Sequence, residues 1–187
     1  AKPNSKFAGV QIGMNVPYNF GSRDMNPDEQ LDRLLKLKVN AVEMRSQPVE
    51  NFLGSPAANG QKVDAGVRRK WRASVSMDRV AAFRKKYEDA GVLIEIVKYD
   101  GIYNMSDDEV NYCFTLAKTL GARGISCEID HRHTARTGTF ADAHKLPVAY
   151  HGHAATTAAD WEAAFKEARF NWANVDIGHF VAGNNTS

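Results

Sequence analysis

The stretch VAYHGH, residues 148–153, ends an apolar run with two histidines, His151 and His153. The imidazole side chain of histidine binds metal ions and transfers protons near neutral pH. An apolar strand that ends in two histidines therefore indicates a functional site. In an extended strand, side chains alternate between the two faces of the sheet. His151 and His153 are therefore expected on one face, and Tyr150 on the other.

Six strand-like runs alternate with amphipathic helical patterns along the chain. The predicted strands are KFAGVQIGM, NAVEMR, VLIEIVKYD, RGISCEID, PVAYHGH and NVDIGHF. The predicted helices are NPDEQLDRLLKLK, SMDRVAAFRKKYEDAG, SDDEVNYCFTLAKTLG, TGTFADAHK and AADWEAAFKEARF. Residues 46–73 are predicted to form a long polar loop. Alternating strands and helices predict a parallel sheet with right-handed crossovers, either an open doubly wound sheet or a (β/α)8 barrel.

Helix signals support these assignments at two positions. Asn26 precedes Pro27, which places a capping side chain directly before a proline at the first helical position. Ser106 and Glu109 have the spacing of a capping box.

Polar side chains recur where the predicted strands end, and this favours the barrel. The strand-end residues are Glu43 and Arg45, Lys98 and Asp100, Glu128 and Asp130, His151 and His153, and Asp176 and His179. In a (β/α)8 barrel the C-terminal ends of all strands face one mouth, where active sites lie. A glycine-rich dinucleotide motif after the first strand is absent, which counts against a dinucleotide-binding protein.

The predicted strands number six, whereas a closed barrel needs eight. Residues 1–187 are therefore interpreted as one partial barrel domain, the first three-quarters of a longer protein.

Composition restricts the class of protein. The chain is 43% hydrophobic and 25% charged, which is typical of a soluble globular protein. A net charge of +2 gives no reason to expect a nucleic-acid partner, and no apolar run reaches the roughly 20 residues of a membrane helix. The basic cluster at residues 68–72 could contact a phosphate but is predicted to be a solvated loop, and Cys113 and Cys127 are predicted to be core residues.

The N-terminus suggests a compartment. Ala1 and the polar residues after it are typical of a mature end left by signal-peptide cleavage, which predicts a periplasmic or secreted protein. Trimming of a cytoplasmic chain would leave the same pattern. Assembly into a homo-oligomer is left open.

Four motifs carry a resemblance to a known family. They are VRRKWRASVSMD before the second predicted helix, ISCEI at the fourth strand, YHGH at the fifth, and DIGHFVAGNNTS at the sixth. From about Phe7 to Ser187 the chain resembles the xylose-isomerase-like TIM barrels of the sugar phosphate isomerase/epimerase type, in their exported bacterial branch. YHGH followed at this distance by NVDIGH is more specific than YHGH alone.

The resemblance implies one divalent metal ion at the barrel mouth, with Mn expected and Zn, Fe, Co or Mg as alternatives. Asp176 matches the ligand on the sixth strand, and His179 matches the histidine that follows it. Glu128, His151 and His153 match the ligands on the earlier strands. The family's seventh- and eighth-strand ligands have no counterpart in these residues. Many relatives have glutamate on the fifth strand where this chain has histidine, which puts their two-glutamate proton shuttle in doubt.

The implied chemistry is removal of a proton next to the carbonyl of a small-molecule sugar, assisted by a Lewis-acidic metal ion and a base. His151, His153, Lys98 and His179 are the candidate catalytic residues. Return of the proton gives an epimerase or an isomerase, and expulsion of a neighbouring group gives a lyase or hydratase acting on a keto-sugar or keto-glycoside.

Structural alternatives remain for each candidate residue. Glu128, Asp176 and Lys98 could belong to ion pairs, and the two histidines of YHGH could be polar edge residues. Rival functions are an AP-endonuclease-like DNA-repair enzyme, a non-catalytic sugar-binding protein, and a fragment without activity of its own.

Overall fold

The computed structural model describes residues 2–184, so Ala1, on which the mature-end interpretation depends, and the final NTS of the last motif lie outside it. The strands are β1 (Lys6–Phe7), β2 (Val10–Gln11), β3 (Met14–Val16), β4 (Ala41–Arg45), β5 (Leu93–Lys98), β6 (Gly124–Glu128), β7 (Val148–His151) and β8 (Asn171–Asn174). The helices are α1 (Pro27–Leu37), α2 (Ser46–Phe52), α3 (Ala65–Ser74), α4 (Met77–Ala90), α5 (Asp107–Thr119), α6 (Thr134–His144), α7 (Ala158–Glu167) and α8 (Ile177–Ala182). Short 3₁₀ turns are Tyr18–Phe20, Ala58–Gly60 and Ile102–Asn104.

The fold is α/β, with a six-stranded sheet whose strands β3 to β8 follow in chain order and alternate with helices. The prediction of about six β/α units is confirmed. The chain divides into two compact units, Ala1–Lys98 with Leu116–Ala122, and Tyr99–Thr115 with Arg123–Ser187. They are called the first and second unit below. The single domain over residues 1–187 stays a prediction. No helix among residues 2–184 is long and apolar enough to cross a bilayer.

The first predicted strand is corrected by the structure. KFAGVQIGM is not continuous, because β1 and β2 pair antiparallel and the chain reverses between them. Ala8 and Gly9 both have positive φ, 47° and 85°, which is the backbone of a tight hairpin turn. The first strand of the parallel sheet is β3, which pairs with β4.

The first unit packs α1 and α4 on one face of β4. The Gln30 side-chain amide contacts Met44 Sδ at 2.9 Å, and the buried Tyr87 hydroxyl donates to the Pro27 carbonyl at 2.8 Å. The predicted cap of α1 is confirmed, since Asn26 Oδ1 accepts the Asp28 amide at 2.9 Å.

The predicted polar loop over residues 46–73 is wrong, because the chain forms α2 and most of α3 there. Asp64 caps α3 through the Gly66 amide at 2.8 Å. Arg72 was expected in a solvated cluster but is buried, and its Nε donates to Glu50 Oε1 at 2.9 Å. Val67 and Trp71 are the only large apolar residues of α3, so the sequence gives a weak helical pattern here.

The second unit contains β6, β7 and β8, paired in parallel. Its core includes Ile125, Val148 and Tyr150, none of which is exposed. Both cysteines are buried, as predicted. The capping box of α5 is confirmed, since the Ser106 amide donates to Glu109 Oε2 at 3.0 Å and the Glu109 amide to Ser106 Oγ at 3.4 Å.

The sixth predicted strand is also corrected. NVDIGHF is not a strand, because β8 ends at Asn174 and α8 begins at Ile177. Asp176 is the N-cap of α8, and its Oδ1 accepts the His179 amide at 3.0 Å. A capping aspartate favours a helix start, and this local signal overrode the apolar alternation.

Candidate metal centre

Glu128, His151 and His153 converge at the C-terminal ends of β6 and β7, and they are called the candidate metal centre below. The register pairs Glu128 directly with His151. His151 Nδ1 lies 2.9 Å and His153 Nε2 lies 2.8 Å from the same carboxylate oxygen, Glu128 Oε2. One ligand atom from each of the three residues lies within 4.8 Å of the other two. The structure therefore brings together three of the four predicted metal ligands.

The turn after β7 is held in place by α7 and the residues before it. The His153 amide donates to Thr156 Oγ1 at 3.0 Å, and the Thr156 amide donates to the His153 carbonyl at 2.8 Å. The Trp161 indole donates to the Tyr150 carbonyl at 2.9 Å. A Cβ atom on Gly152 would lie 2.6 Å from Trp161 Cζ2, so only glycine fits between the two histidines.

Sequence reasoning missed Gly152, Thr156 and Trp161 as supports of the site. The glycine between two histidines was the available signal, because a glycine inside a strand end often marks a close approach of other atoms. Thr156 and Trp161 gave no such signal, since their contacts with the turn depend on how α7 packs.

Asp176 and His179 lie beside the candidate metal centre. Asp176 Oδ2 is 3.7 Å from His151 Nε2, so the His151 ring lies between two carboxylates. The ring centroid of His179 is 4.8 Å from that of His153 and 5.9 Å from that of His151. The His179 backbone amide, which donates to Asp176, lowers the pKa of this carboxyl, and the His179 and His151 side chains act in the same direction.

The side chains are open to solvent to different degrees. The exposed fraction is 20% for His151, 45% for Glu128, 42% for Asp176 and 59% for His153. A ligand can therefore reach the carboxylates and the His153 ring, while His151 is the most enclosed of the four.

The donor set fits a divalent transition metal. Two imidazole nitrogens and carboxylate oxygens form a mixed N/O set, which suits Mn, Fe, Co or Zn better than Ca. The two ring nitrogens that contact Glu128 Oε2 donate hydrogen bonds when they carry protons. A metal binds the deprotonated nitrogen, so binding through these atoms would require each proton to leave or to move to the other ring nitrogen.

Lys98 was predicted as a catalytic residue, and it belongs to the first unit, whereas the candidate metal centre belongs to the second unit. It is buried at the C-terminal end of β5 in the first unit, in register with Arg45. Its role as an acid or a substrate contact stays a prediction.

The other three histidines outside the site have polar or stacking partners. His131 Nε2 is 3.0 Å from Asp160 Oδ1, and His144 Nε2 is 3.0 Å from Asn111 Oδ1. The His133 ring stacks on Tyr103 with a centroid distance of 4.8 Å. These contacts explain the three histidines without a metal ion.

Comparison with solved structures identifies the fold. A xylose isomerase-like TIM barrel protein from Mycobacterium smegmatis, in complex with magnesium, aligns with a TM-score of 0.54 and 14% identity over 89% of this chain and 64% of its own. The fold is that of the xylose isomerase-like TIM barrels. The predicted fold class is thus confirmed, whereas the exported bacterial branch stays a prediction.

Two further solved structures have this fold. The probable 3-DHS dehydratase AsbF, involved in petrobactin synthesis in Bacillus anthracis, aligns with a TM-score of 0.62 and 9% identity over 93% of this chain and 66% of its own. An uncharacterized protein from Parabacteroides distasonis aligns with a TM-score of 0.56 and 19% identity, over 83% of this chain and 58% of its own. The chain thus spans about three-fifths of the length of these proteins. No protein-family model and no curated protein sequence matches it.

Proposed function

We propose that this chain is the metal-binding part of an enzyme that removes a proton from the carbon next to a sugar carbonyl, as isomerases and epimerases do. The observation that carries the proposal is the convergence of Glu128, His151 and His153 at neighbouring strand ends, the position of active sites in this fold. Asp176 adds a second carboxylate beside His151.

Glu128, His153 and Asp176 would hold the divalent cation, with His151 as the alternative imidazole ligand. A bound cation of this kind supplies Lewis acidity, which stabilises negative charge on a substrate oxygen. Because these ligands are half-exposed, substrate oxygens could approach the cation.

His151 is the better placed of the two imidazoles to take the proton. Its Nδ1 contacts Glu128 and its Nε2 faces Asp176, so carboxylates on both sides would stabilise the charge that the ring gains. His179, whose ring lies near both histidines, would contact the substrate. Lys98 is kept as a candidate acid.

A lyase is the second candidate. One protein of the same fold is a probable dehydratase, and elimination begins with the same removal of a proton next to a carbonyl. The two outcomes differ only in whether a group next to the new carbanion leaves. The same proposal includes a small-molecule sugar as substrate, the absence of nucleic-acid and membrane partners, and export to the periplasm.

The test uses the full-length protein loaded with Mn²⁺ and incubated in D₂O with a panel of aldoses, ketoses and keto-glycosides. Mass spectrometry should find deuterium at the carbon next to the carbonyl of an epimer or isomer for the first candidate. For the second candidate it should find an unsaturated product that has lost the hydrogen from this carbon together with the neighbouring group. Stoichiometric metal with neither exchange nor elimination in any sugar would instead support a non-catalytic sugar-binding protein and would overturn the proposal.

A further inference from the structure

Tyr103 contacts the backbone of the candidate metal centre. It belongs to the 3₁₀ turn Ile102–Asn104 after β5, and this turn and β6 are both part of the second unit. The Tyr103 hydroxyl donates to the Glu128 carbonyl and lies 3.4 Å from Cys127 Sγ. Glu128 is the residue whose carboxylate contacts both imidazoles, so a side chain outside the centre is hydrogen-bonded to the backbone of its central residue.

The strand register shows from which side of the sheet this contact is made. Cys127 pairs with Tyr150, whose hydroxyl donates to the carbonyl of the first residue of α6 at 3.1 Å, so both side chains face the helices. Glu128 pairs with His151, and because side chains alternate along a strand, these two face the opposite side. The Tyr103 hydroxyl contacts the Cys127 side chain and therefore approaches β6 from the helix side. Tyr103 is thus placed to act on the centre through the backbone, and not as a metal ligand.

The peptide group that follows Glu128 is held at both of its polar ends. Its carbonyl oxygen accepts the Tyr103 hydroxyl, and its N–H, which belongs to Ile129, donates to the His151 carbonyl at 2.9 Å. Because a peptide group is planar, hydrogen bonds at both ends fix the orientation of the whole plane. This orientation defines the ψ torsion of Glu128, and the direction in which its side chain leaves the strand depends on that torsion.

The Tyr103 ring is itself held in place by His133. The two rings stack with their centroids 4.8 Å apart and their planes at 13°. His133 is the N-cap residue of α6, and its amide donates to the Asp130 carbonyl at 2.8 Å, so a turn fixes its position. The stack restricts rotation of the Tyr103 ring and keeps its hydroxyl directed at the Glu128 carbonyl.

We propose that Tyr103 is a positioning residue of the candidate metal centre, which orients Glu128 toward the two imidazoles through the hydrogen bond to its carbonyl. Because the Glu128 side chain is 45% exposed, packing restricts it less than a core side chain, and the backbone contributes more to its direction. Partners that orient a metal ligand typically contribute about 10- to 100-fold to metal affinity. This role rests on the proposed function only in that Glu128 is taken as a metal ligand.

Tyr103→Phe tests this role, because it removes the hydroxyl and keeps the ring that stacks on His133. In the full-length protein the Kd for Mn²⁺ should rise about 10-fold, as measured from the electron paramagnetic resonance signal of free hydrated Mn²⁺ during a titration. Tyr99→Phe is the matched control. The Tyr99 hydroxyl donates to the Cys113 carbonyl at 2.8 Å, so the same group is removed from a backbone carbonyl of the second unit that is not part of the centre. Tyr99→Phe should bind Mn²⁺ like wild type.

Melting curves of the metal-free proteins separate positioning from stability. Both variants should lower the melting temperature, but a purely structural Tyr103 would leave the Kd of Tyr103→Phe unchanged, and this result overturns the proposal. An equal rise of the Kd in Tyr99→Phe overturns it as well, since the effect would not be specific to Glu128. If Tyr103→Phe does not fold, His133→Ala, which removes the stacked ring, should also raise the Kd, and an unchanged Kd overturns the proposal. Failure of wild type to bind Mn²⁺ would instead overturn the proposed function, and the role of Tyr103 with it.

Discussion

Similar chemical groups occur in the Arg72–Glu50 pair of the first unit and in the candidate metal centre of the second unit. The two groups of residues differ in their exposure to solvent. In both, a carboxylate contacts nitrogen donors at less than 3 Å, with Arg72 Nε 2.9 Å from Glu50 and His153 Nε2 2.8 Å from Glu128. The Arg72 and Glu50 side chains are only 5% and 9% exposed, whereas those of Glu128 and His153 are 45% and 59% exposed.

The difference separates a structural ion pair from a candidate binding site. The guanidinium contacts both oxygens of Glu50, at 2.9 and 3.3 Å, so that pair is closed to further ligands. At Glu128 both imidazoles contact one oxygen, Oε2, and solvent reaches the group. Removing a partner should therefore cost stability at Glu50 and metal affinity at Glu128.

The largest effect on stability is expected for Arg72→Met. The substitution removes the guanidinium from a buried carboxylate and should lower the free energy of unfolding by about 3–5 kcal/mol. Urea denaturation measures this loss, and affinity for Mn²⁺ should not change. Arg33→Met breaks an exposed pair with Glu29 and should cost less than about 1 kcal/mol. Equal losses in the two variants would contradict the structural role of the buried pair.

Glu128→Gln should weaken metal binding and leave stability nearly unchanged, the reverse of Arg72→Met. The amide keeps the size of the side chain but removes the charge that both imidazoles share, so Mn²⁺ affinity should fall by more than the roughly 10–100-fold typical of an outer-shell change. The urea midpoint should move little, because the side chain is half-exposed. Glu162→Gln, on the exposed face of α7, is the matched control. A variant that binds Mn²⁺ like wild type would remove Glu128 from the site.

Gly152→Ala tests whether the turn positions the two histidines. The new methyl group would meet Trp161 and Thr156 at 2.6 and 2.8 Å, and relief of this overlap should cost about 1–3 kcal/mol. Because His151 and His153 flank the glycine, metal affinity should fall as well. Calorimetry of metal binding and thermal melting measure the two effects. Ala155→Ser, in the same exposed turn, should change neither, and an unaffected Gly152→Ala would mean that the turn tolerates a Cβ.

The smallest effect is expected at the start of α7, where Thr157 and Asp160 form a capping box. Thr157→Ala should cost about 1 kcal/mol. The backbone hydrogen bond from Thr157 lowers the pKa of Asp160, so its contribution is fully present above the unfolded pKa of about 3.9 and is lost as pH falls through the folded pKa.

Melting temperatures of wild type and Asp160→Asn between pH 3 and 7 measure this contribution. The difference between the two melting temperatures should be constant near neutral pH and should decrease toward pH 3. A difference that increases in acid would contradict the lowered pKa of Asp160.

The sequence predicted the fold well where local signals agreed with packing. The caps at Asn26 and Ser106 and the alternation of helices and strands from α4 to α7 followed from residue patterns alone. Prediction failed where tertiary contacts decide, as in α3, whose buried Arg72 depends on Glu50. It also failed at Asp176, where a helix cap replaced the expected strand.

The candidate site was predictable in its residue types and not in its geometry. Strand alternation predicted His151 and His153 on one side, and the parallel register adds Glu128 beside His151. Both imidazoles contact the same Glu128 oxygen, and Asp176 lies 3.7 Å from His151. These distances depend on the geometry of the turns, which local sequence patterns do not predict.

The central claim is that imidazole nitrogen and carboxylate oxygen at these strand ends bind a divalent metal. Pulsed electron paramagnetic resonance of the protein with one equivalent of Mn²⁺ tests this claim most directly. The method detects ¹⁴N nuclei bound directly to the ion. Coupling to at least one imidazole nitrogen is predicted in wild type, with its loss in His153→Ala and its retention in Lys85→Met. A wild-type spectrum that matches hydrated Mn²⁺ and shows no nitrogen coupling would contradict the account.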